Sequence, residues 1–239
     1  MVWGGNMKHI FIALAATLSI ATYAHTRIPP GEYVMEHGQG LLIIKPDRTF
    51  SLATFGRDAS TCDFSGAISN EPSQIEDSVC FISFKRKGHN VLVDMNNRYT
   101  NDQDTGCSSF CGYRAGYGGG TFYAASDCGR KSMAQTRNRF KVSYDKKDYP
   151  KAIATLSPLL EKCARFLAWP EESSIRNDLA LAQLHIGNKA ACLATLKPLA
   201  EDASQSEDEI RERYPPLELD IFLPLINATR TKLRLCRAP

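Results

Sequence analysis

The eight cysteines carry the most obvious chemistry of this 239-residue chain, and their spacing decides between the uses of a thiol. An even number of cysteines after an export signal is typical of disulfides. Zinc is the competing interpretation, because the spacing of Cys107 and Cys111 suits two metal ligands, but no second close pair of Cys or His follows. A nucleophilic thiol is disfavoured where every cysteine can pair. We expect disulfides and no metal among Cys62, Cys80, Cys107, Cys111, Cys128, Cys163, Cys192 and Cys236.

The other residues with acid–base or ligand chemistry form no catalytic pattern. A calcium loop starting at Asp102 needs Glu at its twelfth position, which is occupied by Tyr113. The histidines of the mature chain have no neighbouring Ser or Cys signature, and His185 near a helix end suits an interaction with the helix C-terminus. We expect no catalytic residues and no cofactor. An enzyme whose catalytic groups converge from distant positions stays open as an alternative.

The N-terminus has the order of an export signal. Lys8 precedes an apolar run over residues 10–20, and small residues follow up to Ala24. This order is typical of a signal peptide, and the run is too short for the roughly 20 residues of a spanning helix. We expect residues 1–24 to be removed and the mature chain to fold in the periplasm without a membrane span. A retained anchor is the alternative.

The charge of the chain disfavours nucleic acid as a partner. There are 29 Lys and Arg residues against 26 Asp and Glu residues. The short basic clusters at 85–87 and 146–147 are typical of solvated loops or helix ends, and no basic stripe follows a predicted element.

The most distinctive motif covers residues 107–119 and reads Cys-x3-Cys-Gly-x-Arg-Ala-x-Tyr-x-Gly. It resembles a motif of exported proteobacterial proteins, some of them labelled relatives of the LprI-type lysozyme inhibitor. The resemblance covers about residues 31–128. It implies a periplasmic module stapled by cysteines, and it implies no reaction.

Two segments suit contact with a protein partner. The first, over residues 113–123, carries Tyr and Arg side chains, which are enriched at interaction hot spots; the competing interpretation places its aromatic rings in a core. The second, the acidic stretch 201–212, has the charge to plug a basic or metal-containing active site, or is a solvated inter-helix segment. The candidate contact residues are Tyr113, Arg114, Tyr117, Phe122, Tyr123, Glu207, Asp208 and Glu209.

Residues 25–128 have the texture of a small antiparallel β sandwich or barrel. Short β-branched and aromatic runs alternate with Gly, Pro and Asn-Asp clusters. Strands at 40–44 and 49–55 flank a Lys-Pro-Asp-Arg turn, and strands at 79–84 and 91–95 flank a charged tip that contains Gly88. A further strand is expected at 62–68, and a Cys62–Cys80 bridge would join neighbouring strands.

Residues 129–239 predict an all-α domain of helical hairpins. Apolar residues recur at intervals of three and four, which predicts helices at 152–163, 175–186, about 189–202 and about 217–236, the last with a kink or late start at Pro224. Residues 154–161 match residues 194–201 at six of eight positions, and a period of 40 indicates stacked hairpins of tetratricopeptide type. An ordinary four-helix domain is the alternative.

The predicted hairpin stack constrains the remaining disulfides. Cys163, near the end of the first predicted helix, and Cys192, near the start of the third, would lie about 18 Å apart, which exceeds the roughly 7 Å that a bridge allows. The fourth helix returns beside the third, so we expect Cys192–Cys236. Cys163 would then pair with one of Cys107, Cys111 and Cys128, linking the two halves.

These features together predict a function in protein binding. We expect a non-enzymatic periplasmic inhibitor or immunity protein whose partner is a secreted toxin or hydrolase that attacks the cell wall or membrane. A scaffold that holds peptides for envelope assembly is the second hypothesis, and an unrecognised hydrolase is the third.

Overall fold

A computed structural model of the chain describes residues 1, 27–56, 60–69, 72–76, 78–97, 106–112, 115 and 119–238. The predicted signal peptide, apart from residue 1, lies outside this part of the chain, as do Tyr113, Arg114 and Tyr117. Among the described residues, no helix has the length and apolar character needed to cross a bilayer.

The N-terminal part is an eight-stranded antiparallel sheet that curls into a nearly closed barrel. In the sheet the strands follow the order β4-β3-β2-β1-β8-β7-β6-β5, and the two end strands β4 and β5 contact each other. The predicted α+β fold, with a β barrel before a helical domain, is therefore confirmed. The strands are β1 Gly31–Val34, β2 Gly40–Ile44, β3 Thr49–Phe55, β4 Thr61–Ala67, β5 Ser73–Gln74, β6 Cys80–Lys87, β7 Asn90–Asn97 and β8 Gly119–Ala124.

Both predicted hairpins are present in the barrel. Between β2 and β3, Asp47 accepts a hydrogen bond from the Thr49 amide at 2.9 Å, which fixes the turn after Pro46. Between β6 and β7 the turn is shorter than predicted, because the charged residues 85–87 continue β6 and only Gly88 and His89 reverse the chain. Side chains alternate along β3, so Phe50 and Leu52 fill the barrel interior.

In the described part of the chain, seven α-helices follow the barrel. The predicted helices are found as α2, α3, α4 continued by α5, and α7, which begins before Pro224. The first helix was not predicted, because its sequence is too polar for a clear apolar stripe. The helices are α1 Arg130–Asp145, α2 Tyr149–Cys163, α3 Trp169–His185, α4 Lys189–Leu196, α5 Ala200–Ser204, α6 Glu207–Arg213 and α7 Pro216–Arg237.

The internal repeat corresponds to two helical hairpins, α1–α2 and α3–α4, with the same turn. Asp148 caps α2 by accepting from the amide of Lys151, and Asn188 caps α4 by accepting from the amide of Ala191. The residue before each cap has a left-handed backbone, with φ of 59° at Lys147 and 77° at Gly187. The 40-residue period therefore applies to backbone geometry as well as to sequence.

Helices α1, α3 and α7 lie side by side and parallel. Contacts between α1 and α3 keep a constant sequence separation of 41, at Arg137 with Asp178 and at Tyr144 with His185. The amide of Asn177 on α3 donates to Thr229 on α7 at 2.9 Å, while α2 and α4 pack on the other side of α3. The three helices form one layer of the helical array.

The predicted Cys62–Cys80 bridge is wrong. Strand β4, which carries Cys62, and β6, which carries Cys80, are not neighbours, because β5 lies between them across the barrel seam. The segment 107–111 crosses this seam and supplies both partners: Cys62 pairs with Cys111 and Cys80 with Cys107, with Cα atoms 4.0 and 4.7 Å apart.

The other two disulfides agree with the sequence-based expectation. Cys192 pairs with Cys236, and Cys163 pairs with Cys128, with Cα atoms 6.1 and 5.4 Å apart. Cys128 lies between the last strand and α1, so its bridge ties the chain leaving the barrel to the end of α2.

The shared turn yields a test of the repeat. Lys147 has a left-handed backbone where the second hairpin has glycine, so Lys147→Gly should raise the free energy of unfolding, and Gly187→Ala should lower it, each by about 1 kcal/mol. Urea unfolding of the oxidised protein measures both. Lys146→Gly, at an ordinary φ of −79°, is the matched control and should not stabilise. Destabilisation by Lys147→Gly would show that the two turns differ.

Candidate functional site

The prediction that Phe122 contacts a partner is wrong. Its side chain is fully buried and lies in the barrel core, because β8 alternates and Phe122 is opposite Val91 on the inward side. The competing interpretation, in which the aromatic rings are core, therefore holds for this residue. Tyr113, Arg114 and Tyr117 lie outside the described residues.

Tyr123 is used at the contact between the barrel and the helices. The Arg165 guanidinium carbon lies 4.3 Å from the centroid of the Tyr123 ring, and the Phe166 ring lies 5.7 Å from it. Arg165 also forms an ion pair with Glu36 of the barrel, and its hydrogen bond lowers the pKa of that carboxyl. Tyr123 thus helps to join the two parts of the chain.

A second contact joins β1 to the start of α1. The Glu32 carboxylate accepts a hydrogen bond from the Arg130 amide at 2.7 Å. A carboxylate at this position satisfies one of the unpaired amides of a helix N-terminus and interacts favourably with the helix dipole. The barrel therefore supplies the first capping interaction of the helical array.

Most of the acidic side chains on α6 that were predicted to contact a partner form interactions that stabilise the helix itself. Ser206 accepts from the Glu209 amide at 3.2 Å while Glu209 accepts from the Ser206 amide at 2.6 Å, which is a capping box. Glu207 forms an ion pair with Arg211 one turn later. Asp208 is exposed and forms no hydrogen bond or ion pair with any described residue. Among the three predicted contact residues, only Asp208 therefore has a carboxylate free for a partner.

The layer of parallel helices presents a charge network that sequence reasoning missed. Arg137 of α1 donates to Ser174 at 2.8 Å and to Asp178 at 3.1 Å, both on α3. Burial raises the pKa of Asp178, while the positive charges of Arg137 and Lys232 act in the opposite direction. Burial also lowers the pKa of Lys232 on α7. Three helices thus share a partly desolvated group of two cations and one anion.

A cluster of aromatic rings and one histidine lies two turns further along α1 and α3, and Tyr149, the first residue of α2, belongs to it. The Tyr149 ring stacks on His185, with ring centroids 4.4 Å apart and an interplanar angle of 11°. The Tyr144 hydroxyl lies 3.0 Å from His185 Nε2, and burial raises the pKa of Tyr144. His185 lies in the last turn of its helix, as predicted, and it also contacts Tyr144 and Tyr149 on either side of the turn between α1 and α2.

The charge network and the aromatic cluster form one face, which we call the α1–α3–α7 face. Arg137 and Tyr144 are seven residues apart on α1, and Asp178 and His185 are seven residues apart on α3, so each pair lies on one side of its helix. Such a face offers directed charges and flat rings. No group of three or more His, Cys, Asp or Glu side chains among the described residues is arranged to hold a metal ion.

Comparison with protein-family models, curated protein sequences and solved structures finds no match to the chain.

The charge network makes stability depend on pH in a defined direction. Arg137→Gln removes a cation that opposes the raised pKa of Asp178, so this pKa should rise further. Because Arg137 is partly exposed, the free energy of unfolding should fall by only about 0.5–1 kcal/mol at about pH 7. Once the pH falls through the pKa of Asp178, the carboxyl is neutral and the loss should shrink to the part that comes from the Ser174 hydrogen bond.

Urea unfolding of both proteins at about pH 7 and about pH 3 measures this difference. Arg139→Gln is the matched control, since Arg139 donates only to the neighbouring Thr136 hydroxyl among the described residues. An equal loss for Arg137→Gln at both pH values would mean that Asp178 is not the group it stabilises.

Proposed function

We propose that the protein is a non-enzymatic periplasmic protein-binding protein, and that it acts as an inhibitor or immunity protein against a secreted hydrolase or toxin. The observation that carries this proposal is the α1–α3–α7 face, where Arg137, Asp178 and Lys232 are already oriented beside the stacked Tyr149 and His185 rings. Arg and Tyr side chains contribute strongly to protein interfaces.

The preorganisation of this face supports tight binding. Arg137 is held by two hydrogen bonds and Tyr149 by ring stacking, so less side-chain freedom remains to be lost on association. Four disulfides add to this by reducing the conformational freedom of the whole chain. A rigid surface of this kind can reach high affinity even where the contact area is small, because little conformational entropy is lost on binding.

The disulfides indicate part of the proposed localisation. Four disulfides are typical of an oxidising, extracytoplasmic environment. The periplasm specifically is part of the proposal, supported by the signal-like order of residues 1–24 and by the resemblance of residues 107–119 to exported proteobacterial proteins.

A scaffold for envelope assembly is the second candidate function. The feature that favours it is the repeated hairpin, since stacked hairpins build extended surfaces for peptide segments. A scaffold should bind several partners with similar, modest affinity and should inhibit none of them. An inhibitor should bind one hydrolase tightly and abolish its activity.

Binding and inhibition assays with secreted cell-wall hydrolases of the producing organism test the proposal. The mature chain should bind one hydrolase and inhibit it. Arg137→Ala and Tyr149→Ala should each weaken binding about tenfold or more, since each removes an anchor of the face. Lys85→Ala, at an exposed position of the barrel, is the control and should leave affinity unchanged.

Two results would contradict the proposal in different ways. A hydrolase that is inhibited equally by the wild type and both face variants would place the binding surface elsewhere. If the chain binds hydrolases without inhibiting any of them, the inhibitor role fails and the scaffold function remains.

A further inference from the structure

A groove on the outer side of the first hairpin, away from α3, lies between α1 and α2. It has a volume of about 450 Å³. Its walls carry three hydroxyl groups, two cations and one carboxylate, from Ser132, Thr136, Thr155, Arg139, Lys162 and Asp127. Among the described residues Arg139 donates a hydrogen bond only to Thr136, while Lys162 forms an exposed ion pair with Asp127 at 3.4 Å.

In the second hairpin, the equivalent groove between α3 and α4 is filled by side chains of the hairpin itself. Forty residues after Ser132 and Thr136 stand Glu172 and Arg176, which form an ion pair at 2.6 Å and are both largely buried, with side chains 24% and 17% exposed. The Arg176 guanidinium also donates to the Thr195 carbonyl, at the position equivalent to Thr155. The α3–α4 groove is thus filled from within by an acid–base pair.

The first hairpin cannot fill its own groove in this way. Ser132 and Thr136 are too short to reach across, and the position equivalent to Asp202 is Lys162. Residues 130–165 contain ten basic and three acidic residues. Two of the three acidic side chains already have partners: Asp145 forms an ion pair with Lys141, and Asp148 caps α2. Among the residues that line the groove, Asp127 therefore supplies one exposed carboxylate against the two cations, and the hairpin has few others to offer.

The chain carries the complementary charge at the other end of the helical array. Residues 200–214, which include α5 and α6, contain six acidic and two basic residues. Asp208 and Glu212 lie four residues apart on α6, are exposed, and form no hydrogen bond or ion pair with any described residue. Next to α6, Leu217 is 70% exposed and supplies an apolar contact.

These two surfaces cannot meet within one molecule. Helix α6 packs on α7, whereas α1 and α2 pack on each other, on α3 and beside the barrel. We propose that the groove between α1 and α2 receives α6 of a second copy of this chain, with Asp208 and Glu212 taking carboxylates to Arg139 and Lys162. The contact is head to tail, so each molecule keeps one free groove and one free α6, and association continues until a ring closes or a short chain forms.

The contact depends on exposed charges, so salt weakens it. Sedimentation of the wild-type mature protein in about 50 mM salt should give a weight-average mass that rises with concentration, and about 500 mM salt should return it to the monomer. Arg139→Glu with Lys162→Glu should abolish association, because the groove then repels α6. Asp208→Lys with Glu212→Lys should do the same from the other side.

A mixture of the two charge-reversed proteins gives the sharpest result. Each is a monomer alone, but together their altered surfaces are complementary again, so the mixture should associate. Lys85→Glu with Lys87→Glu changes the net charge equally on the barrel and should associate like the wild type. Thermal unfolding checks that every variant is folded.

Three results would overturn the proposal: a wild-type protein that is monomeric at low salt at all concentrations, association that survives both reversals, or a mixture that stays monomeric. None of them bears on the α1–α3–α7 face, whose test is inhibition of a hydrolase, so either proposal can fail alone.

Discussion

The Cys128–Cys163 disulfide is the constraint on which the relation between barrel and helices depends. It holds Cys128, two residues before the start of α1, beside the end of α2, so the first hairpin starts and ends at the barrel. The neighbouring contacts, Glu32 with the Arg130 amide and Arg165 with Glu36 and Tyr123, involve partly exposed groups and are individually weak. The disulfide keeps the groups that form these weak contacts close to one another, so the contacts can form together.

The first hairpin positions the rest of the helical array. Its turn and that of the second hairpin have equivalent caps, Asp148 and Asn188, each preceded by a residue with a left-handed backbone, and α3 is parallel to α1 at a constant register. Asn177, which is buried, then joins α3 to Thr229 of α7, and Cys192–Cys236 ties the end of α7 to α4. The register brings Arg137, Asp178 and Lys232 together from three helices. The candidate binding face is therefore a product of the repeat rather than of any local motif.

Local signals in the sequence were sufficient for much of the fold. The Pro-Asp turn and Gly88 located two hairpins, and the matching segments 154–161 and 194–201 revealed the repeat and the Cys192–Cys236 pairing. Long-range features escaped. Helix α1 has few apolar residues. Cys62 and Cys80 each pair with a cysteine of the segment 107–111, and nothing in the sequence indicates that this segment crosses the seam. The charge network was missed because it requires α1 and the register of three helices. For Phe122 the sequence offered both a core and a contact interpretation of its Tyr-rich segment, and only the structure decides for the core.

Peptide mapping of the oxidised protein by mass spectrometry, without reduction, tests most directly that a disulfide joins the barrel exit to the end of α2. The structure predicts one cross-linked peptide pair that joins Cys128 to Cys163 and another that joins Cys192 to Cys236, with Cys62 and Cys80 both linked to the segment 107–111. A Cys163–Cys192 peptide pair, or a free thiol at Cys128, would contradict the account, because the end of α2 would then have no disulfide to the barrel exit.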